Sequence, residues 1–234
     1  MKIASPFSSP PSPDASPPVL LRLNKAHYPV TVLGYGRRVG LWVQGCGIRC
    51  KGCVSQDTWA AEGGSAVSVA EVLDWCKTKA ASGLDGVTLS GGEPFEQPQA
   101  LAALLDGLAR WRQEAGLTFD VLCYSGYPLK TLRARHAALL EKLDALIPEP
   151  YADALPQGGA WRGSANQSLI PLSPLGQARY AGKDAPAARE KTIQVALEGE
   201  RVWMIGIPER GDMAALESLC ATRGLSLNQV SWRR

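Results

Sequence analysis

Three cysteines, Cys46, Cys50 and Cys53, stand in C-x3-C-x2-C spacing within "VQGCGIRCKGC", straight after an apolar run and with no fourth cysteine beside them. Thiolate sulfur is a soft ligand that suits zinc and iron–sulfur clusters. A structural zinc site asks for four ligands, and the remaining pool is His27, His136, Cys76, Cys123 and Cys220, each in an apolar or helical context. A ferredoxin-type cluster asks for another nearby cysteine, commonly followed by proline; this loop has none. Three thiolates on a 4Fe-4S cubane leave one iron without a protein ligand, which a small molecule carrying an amine and a carboxylate can chelate. An open coordination position is what metal chemistry needs. Gly45, Gly47 and Gly52 allow the backbone to fold closely round such a centre. The bland alternative is three chance cysteines in a loop, against which the tight spacing speaks.

A second stretch, "TLSGGEPFEQ" at 88–97, ends an apolar run in Gly91-Gly92, with Glu93 locked by Pro94. Two glycines permit close backbone approach, and a carboxylate at a strand's C-terminal mouth can accept hydrogen bonds from an ammonium group. Alone it is an ordinary turn. One βα unit after the cysteine loop, it is informative.

The elements that must position these residues alternate from Val19 onward. "YPVTVLG" and "RRVGLWVQG" read as strands, the second running into the cysteine loop. "SVAEVLDWCKTKAA" has a Ser68 N-cap with Glu71 closing a capping box. "DGVTLS", "FDVLCYSG" and "DALIPEP" are further strands, separated by helices at "QPQALAALLDGLARWRQEAG" and "LKTLRARHAALLEKL". This order predicts an α/β fold, a parallel sheet or partial (βα) barrel, with binding chemistry at the C-terminal ends of the strands. Residues 152–189 read as loop-rich. "KTIQVALEGERVWMIGIP" reads as a hairpin turning at Glu198-Gly199, which sets Val202 opposite Val195 and Met204 opposite Ile193, with the apolar side on the core; a helix follows at "DMAALESLCATRG". The expected organisation is a disordered Pro/Ser-rich tail at 1–18, a cofactor-binding body at 19–189, and a hairpin-plus-helix addition at 190–234 that packs on the barrel and borders the cluster opening.

Composition excludes some partners. The 234 residues are 45% hydrophobic and 20% charged, as for a globular domain with a real core. Twenty-five basic against 22 acidic residues, without a long like-charged block, leave no electrostatic footprint for nucleic acid or anionic lipid. Six cysteines in a chain this long do not resemble a secreted disulfide framework, so a reducing cytoplasm is the expected compartment. No run is long and apolar enough for a membrane span, and the N-terminal stretch has no apolar signal core.

Together, the cysteine motif and Gly-Gly-Glu-Pro at 91–94 resemble radical S-adenosylmethionine enzymes. "YPVTVLGYGRRVGLWVQGC", "CKGCVSQDTW", "CYSGYPL" and "WRGSANQ" narrow the resemblance to the activating proteins of anaerobic ribonucleotide reductase and the wider group of glycyl-radical activases, over residues 28 to about 170. The resemblance implies a partial barrel of the radical S-adenosylmethionine type, a 4Fe-4S cluster on Cys46, Cys50 and Cys53, and S-adenosylmethionine as second cofactor. It implies that the methionine amine is held by Gly91, Gly92 and Glu93, and that Tyr124, Ser125 and Gly126 lie beside the cofactor. Glu149, Asn166 and Arg162 are further candidates, and Trp59 is assigned to packing. The activity implied is reductive cleavage to methionine and a 5'-deoxyadenosyl radical that abstracts hydrogen. An electron donor such as flavodoxin or ferredoxin and a glycyl-radical protein are the implied partners. Gly52, where many such enzymes have an aromatic residue, resembles the reductase-activator branch; Ser55 in place of an asparagine, and "IPEPY" in place of a strand ending in Asp-Gly, depart from it. Direct action on a peptide, nucleotide or metabolite, and a non-catalytic cluster-binding module, stay open as alternatives.

Overall fold

The computed structural model describes residues 17–183, 193–198, 201–227 and 230–232. The expected tail lies, up to residue 16, outside the described residues. Strands β1 (Leu20–Val30) and β2 (Arg38–Val43) pair antiparallel, with β3 (Ser65–Ser68) on the far side of β1. Helix α1 (Val69–Ala80) leads to β4 (Gly86–Gly91), and α2 (Pro98–Glu114) to β5 (Asp120–Tyr124). Two short helices, α3 (Leu129–Arg135) and α4 (Ala137–Leu140), lead to β6 (Ala145–Ile147), followed by β7 (Ile170–Pro171) and α5 (Pro174–Tyr180). The sheet order is β3-β1-β2-β4-β5-β6-β7, parallel from β2 through β6 and antiparallel at both edges. This is the expected α/β partial barrel.

Period-two alternation explains why the parallel strands sit where they do. Val39, Leu41 and Val43, Val87 and Leu89, and Val121 and Cys123 point to one face, where they bury against Val72 and Cys76 of α1 and Leu101, Leu104, Leu105 and Leu108 of α2. Helix α1 starts where the sequence says it should. The Ser68 side chain accepts from the Glu71 N–H while Glu71 reaches back to the Ser68 N–H, a box whose loss costs about 1 kcal/mol.

The other, concave face carries charge. Arg38, fully buried, opens β2 and forms a two-pronged pair with Asp120 at the start of β5 (Nη1–Oδ1 3.0 Å, Nη2–Oδ2 2.8 Å). Its remaining donors go to Thr88 Oγ1 (2.6 Å) and to the carbonyls of Tyr35 and Val87. Arg179 and Tyr180 of α5 donate to the same carboxylate at 2.5 and 2.8 Å. Burial opposes the charge of Asp120, but the Arg38, Arg179 and Tyr180 contacts win and hold its carboxyl below the usual range. All of this lies at the N-terminal ends of the parallel strands, opposite the cysteine loop.

Three details differ from the sequence reading. The first strand lies earlier than "YPVTVLG", because Gly34 and Gly36 take positive φ (126° and 70°) and end the extended run after Val30. The single expected helix at 129–143 breaks at His136, whose ring packs on Phe95 (centroids 5.3 Å apart). The hairpin of β8 (Ile193–Glu198) and β9 (Arg201–Gly206) forms, but Val195 faces Met204 and Leu197 faces Val202. The turn is one residue later, which moves every partner by two. Its outward side is also the one expected to be buried: Val195, Leu197 and Val202 are 61%, 77% and 58% exposed. The inward side instead brings Ile205 against Val30, Leu33 and Trp42, and Gln194 Nε2 to the Pro29 carbonyl (2.6 Å). Helix α6 (Asp212–Thr222) follows with no buried residue. Among the described residues no helix is long and apolar enough to cross a membrane.

Asp120→Ala leaves the Arg38 guanidinium buried without its counter-charge, and breaking such a pair on one side costs about 3–5 kcal/mol. The unfolding free energy from a denaturant titration should fall by that much; an unchanged value would show that the network does not hold the body together.

Candidate functional site

The parallel strands deliver four segments to one edge. β2 runs into the cysteine loop, β4 into Gly91–Glu93, β5 into Tyr124–Gly126 and β6 into Pro148–Glu149. The first two are in backbone contact. Gly92 N–H donates to the Val43 carbonyl (2.8 Å) and Glu93 N–H to the Gly45 carbonyl (2.7 Å). A Cβ on Gly92 would sit 2.1 Å from the Gly45 oxygen, so only glycine permits this approach. The return arm of the loop is stitched as firmly: Gly45 N–H donates to Thr58 O (2.8 Å), Cys46 N–H to Trp59 O (3.2 Å), and Gln44 Nε2 to Ala60 O (2.6 Å).

Each cysteine sulfur meets N–H donors. The backbone N–H groups of Ile48 and Arg49 serve Cys46, that of Tyr151 serves Cys50, and Cys53 receives the Ser55 N–H (3.4 Å) and a side-chain hydrogen bond from Trp59. Partial burial raises all three thiols above the usual range, and these donors act against it. All three are free thiols. Donors aimed at sulfur are what thiolate ligands of an iron–sulfur cluster use to spread their charge, so the loop fits such a group. Among the described residues, no set of three or more His, Cys, Asp or Glu side chains converges on a single metal ion, whereas a cluster takes each thiolate on a different iron. Cys76 and Cys123 belong to the core instead, with burial pushing the Cys76 thiol to about 12.

Glu93 is buried and links two strand ends. Its Oε1 accepts from Phe95 N–H (3.1 Å) and from the Ser125 hydroxyl (2.9 Å), and its Oε2 from Gly126 N–H (2.8 Å). Burial pushes its carboxyl up to about 7 despite these three donors. Ser125 is fixed in turn by its N–H on the Ile147 carbonyl (2.9 Å). Tyr124 points to the concave face, its hydroxyl donating to the Trp161 carbonyl (2.9 Å).

The other sequence candidates shape the rim. Glu149, in left-handed backbone (φ 82°), caps α3 by accepting from Leu129 N–H (3.0 Å), while its carbonyl accepts from Gln167 Nε2 (2.9 Å). Asn166 donates to the Pro150 carbonyl (2.8 Å), and Arg162 to that of Gln167 (2.5 Å). Gln167 Oε1 accepts from Gly163 N–H (2.9 Å), so "WRGSANQ" folds on itself and braces "IPEPY". Two contributors escaped the sequence reading. Trp59 bonds Cys53, and Glu96 Oε1 anchors the loop by accepting from Gly47 N–H (2.8 Å). Glu96 lies three positions beyond Glu93, and its reach across 49 residues to Gly47 has no sequence signal.

Residues 32–170 match a family model described as a 4Fe-4S single cluster domain. The anaerobic ribonucleoside-triphosphate reductase-activating protein of Enterobacteria phage T4 is 32% identical over 138 residues, 59% of this chain and 86% of that protein. Its namesake from Vibrio cholerae is 34% identical over 152 residues, 61% of this chain and 94% of that one. The pyruvate formate-lyase-activating enzyme of Clostridium pasteurianum is 39% identical over 75 residues, 31% of this chain and 32% of that enzyme. With more than half its length in that model and relatives matched almost end to end, the chain belongs to the radical S-adenosylmethionine activating-enzyme family, whose cofactors are a 4Fe-4S cluster and S-adenosylmethionine.

Proposed function

We propose that the chain activates a glycyl-radical protein of the anaerobic ribonucleotide reductase kind, taking its electron from a flavodoxin- or ferredoxin-like donor. The observation that carries this reading is the junction of the cysteine loop, Glu93 and the Ser125–Gly126 turn at one strand edge. The names of the relatives give the substrate class. In this reading Cys46, Cys50 and Cys53 hold three irons of the cluster. When bound, the cluster would supply the electron for reductive cleavage of S-adenosylmethionine to methionine and the 5'-deoxyadenosyl group that would abstract hydrogen.

This chain's residues bind and orient. Gly91 and Gly92 bring the main chain against the loop, and the Glu93 carboxylate turns its remaining acceptor capacity to the methionine ammonium. Ser125 and Gly126 hold that carboxylate in place. Glu149 and Asn166 support the floor beside it through the "IPEPY" segment. A second reading, direct attack on a peptide or metabolite, draws on the C-terminal addition: Ile205 packs with Trp42 and Tyr124 on the concave face that a partner's loop would enter.

Reconstituted anaerobically, the chain should hold about four irons, and Cys50→Ala should lose most of them. Stoichiometric zinc without iron uptake would refute the ligand assignment. Reduced with dithionite, the loaded chain should form 5'-deoxyadenosine from S-adenosylmethionine. With a candidate reductase present, a glycyl-radical resonance should appear; turnover of a small molecule without that resonance would favour the second reading.

Glu93→Gln keeps the shape but removes the charge, and its NH2 group cannot accept the hydrogen bond or bonds that one of the two carboxylate oxygens takes. It should keep the iron and weaken S-adenosylmethionine binding by about 1.5–3 kcal/mol, the value of a charge-assisted hydrogen bond. Its carboxyl, up at about 7 in the free protein, must be charged to hold an ammonium, so binding releases a proton. Affinity should rise with pH from 6 toward 7.5 in the wild type and stay flat over that window in Glu93→Gln; titration calorimetry in buffers of different ionisation enthalpy reads the proton directly.

A further inference from the structure

Beyond α6 the chain returns to the cysteine loop. Gln56 N–H donates to the Ser231 carbonyl (2.8 Å), Gln56 Nε2 to the Trp232 carbonyl (2.9 Å), and the Ser231 hydroxyl to the Val54 carbonyl (2.7 Å). Trp232 is tied to α6, its Nε1 donating to Glu217 Oε1 at 2.6 Å. These contacts bracket Ser55, whose own N–H points at Cys53 Sγ, and they open the 3-10 turn Gln56–Thr58 that leads to Trp59, the second donor to that sulfur. The addition also reaches the opposite flank. Arg210 donates to the Asp153 carbonyl, and the Asp153 carboxylate lies so close to Gly52 that a Cβ there would come within 2.7 Å of Oδ1. Arg210, Glu217, Ser231 and Trp232 all lie past residue 170, where the family match ends.

We propose that the Ser231–Trp232 segment, anchored by α6, is a positioning clasp for the third cluster ligand, holding Val54–Gln56 so that both donors stay on the Cys53 sulfur. The proposal rests on Cys53 being a ligand. A loop closed only by its own hydrogen bonds opens locally at small free-energy cost. Tying it to a distant segment raises that cost and slows departure of the thiolate from iron. Keeping two hydrogen bonds on the sulfur also lowers its electron donation and so makes the cluster easier to reduce. None of the clasp residues touches the cofactor in this scheme; they act through Cys53.

The test uses the full chain carrying Gln56→Ala with Ser231→Ala, which deletes both side-chain bonds between the segment and the loop. Trp232→Phe, which keeps a ring and deletes only the indole donor, serves if the double variant does not fold. Three quantities are read: the rate of iron transfer to a chelator, the cluster's midpoint potential, and amide exchange at Gln56 in the iron-free chain. The expected result is iron release faster by about tenfold, equivalent to about 1.4 kcal/mol, with a more negative potential, faster Gln56 exchange and an unchanged unfolding midpoint of the body. Wild-type release at wild-type potential overturns the clasp. If the parent chain takes up no iron, it is the ligand assignment that fails, and Gln56 exchange alone then decides: protection unchanged by the substitutions overturns the clasp as well.

Discussion

The carboxylate of Glu93 is buried yet holds three hydrogen-bond donors, and the surface at the strand ends depends on it. Two of those donors, Ser125 Oγ and Gly126 N, belong to the end of β5. The main chain of the same residue binds Gly45, one position before the first cysteine. One side chain and one peptide group therefore make a single surface of three strand ends. A buried carboxylate with fewer donors would be costly to keep, which is why the Ser-Gly turn and the Gly-Gly approach have to occur together. The segment that follows, through Phe95 and Glu96, uses the same geometry to reach Gly47.

At the other end of the parallel strands the constraint is reversed in sign. Arg38 enters the concave face as a cation, and Asp120, Thr88 and two carbonyls satisfy it before α5 closes over with Arg179 and Tyr180. A guanidinium with this many partners fixes the register of β2 against β4 and β5, because a slip of one residue would turn it into the helix-facing core. The register in turn sets where each strand stops. Val43, Gly91 and Tyr124 reach the chemical edge because Arg38, Gly86 and Asp120 start together at the opposite one.

Local signals were legible. The capping box at Ser68 and Glu71, the alternation of β2, β4 and β5, and the C-x3-C-x2-C spacing involve residues a few positions apart, and the structure has the helix and strands in those places. What was illegible depends on distant partners. Nothing near Arg38 announces Asp120, 82 residues on, although "RRVGLWVQG" reads as a strand. Trp59 reads as packing because an indole N–H gives no clue to its acceptor. The hairpin failed in a more instructive way. Both of its sides carry apolar residues, Val195, Leu197 and Val202 on one and Ala196, Trp203 and Ile205 on the other, so alternation alone could not say which faces inward. Gln194, the polar residue that settles it, is on the buried side because Pro29 and Thr31 supply its partners.

The outward side of that hairpin has a practical consequence. Valine and leucine side chains open to water on a two-stranded ribbon form a surface on which copies of the chain can stack, and nothing in their chemistry limits that stacking to one partner. Ions excluded from protein surfaces, such as sulfate, strengthen contacts of this kind. The hairpin is therefore a surface on which salting-out acts, whereas the cysteine loop is crossed by main-chain bonds. Exchanging Leu197, 77% exposed, for a charged residue removes apolar surface from that ribbon without touching the strand ends.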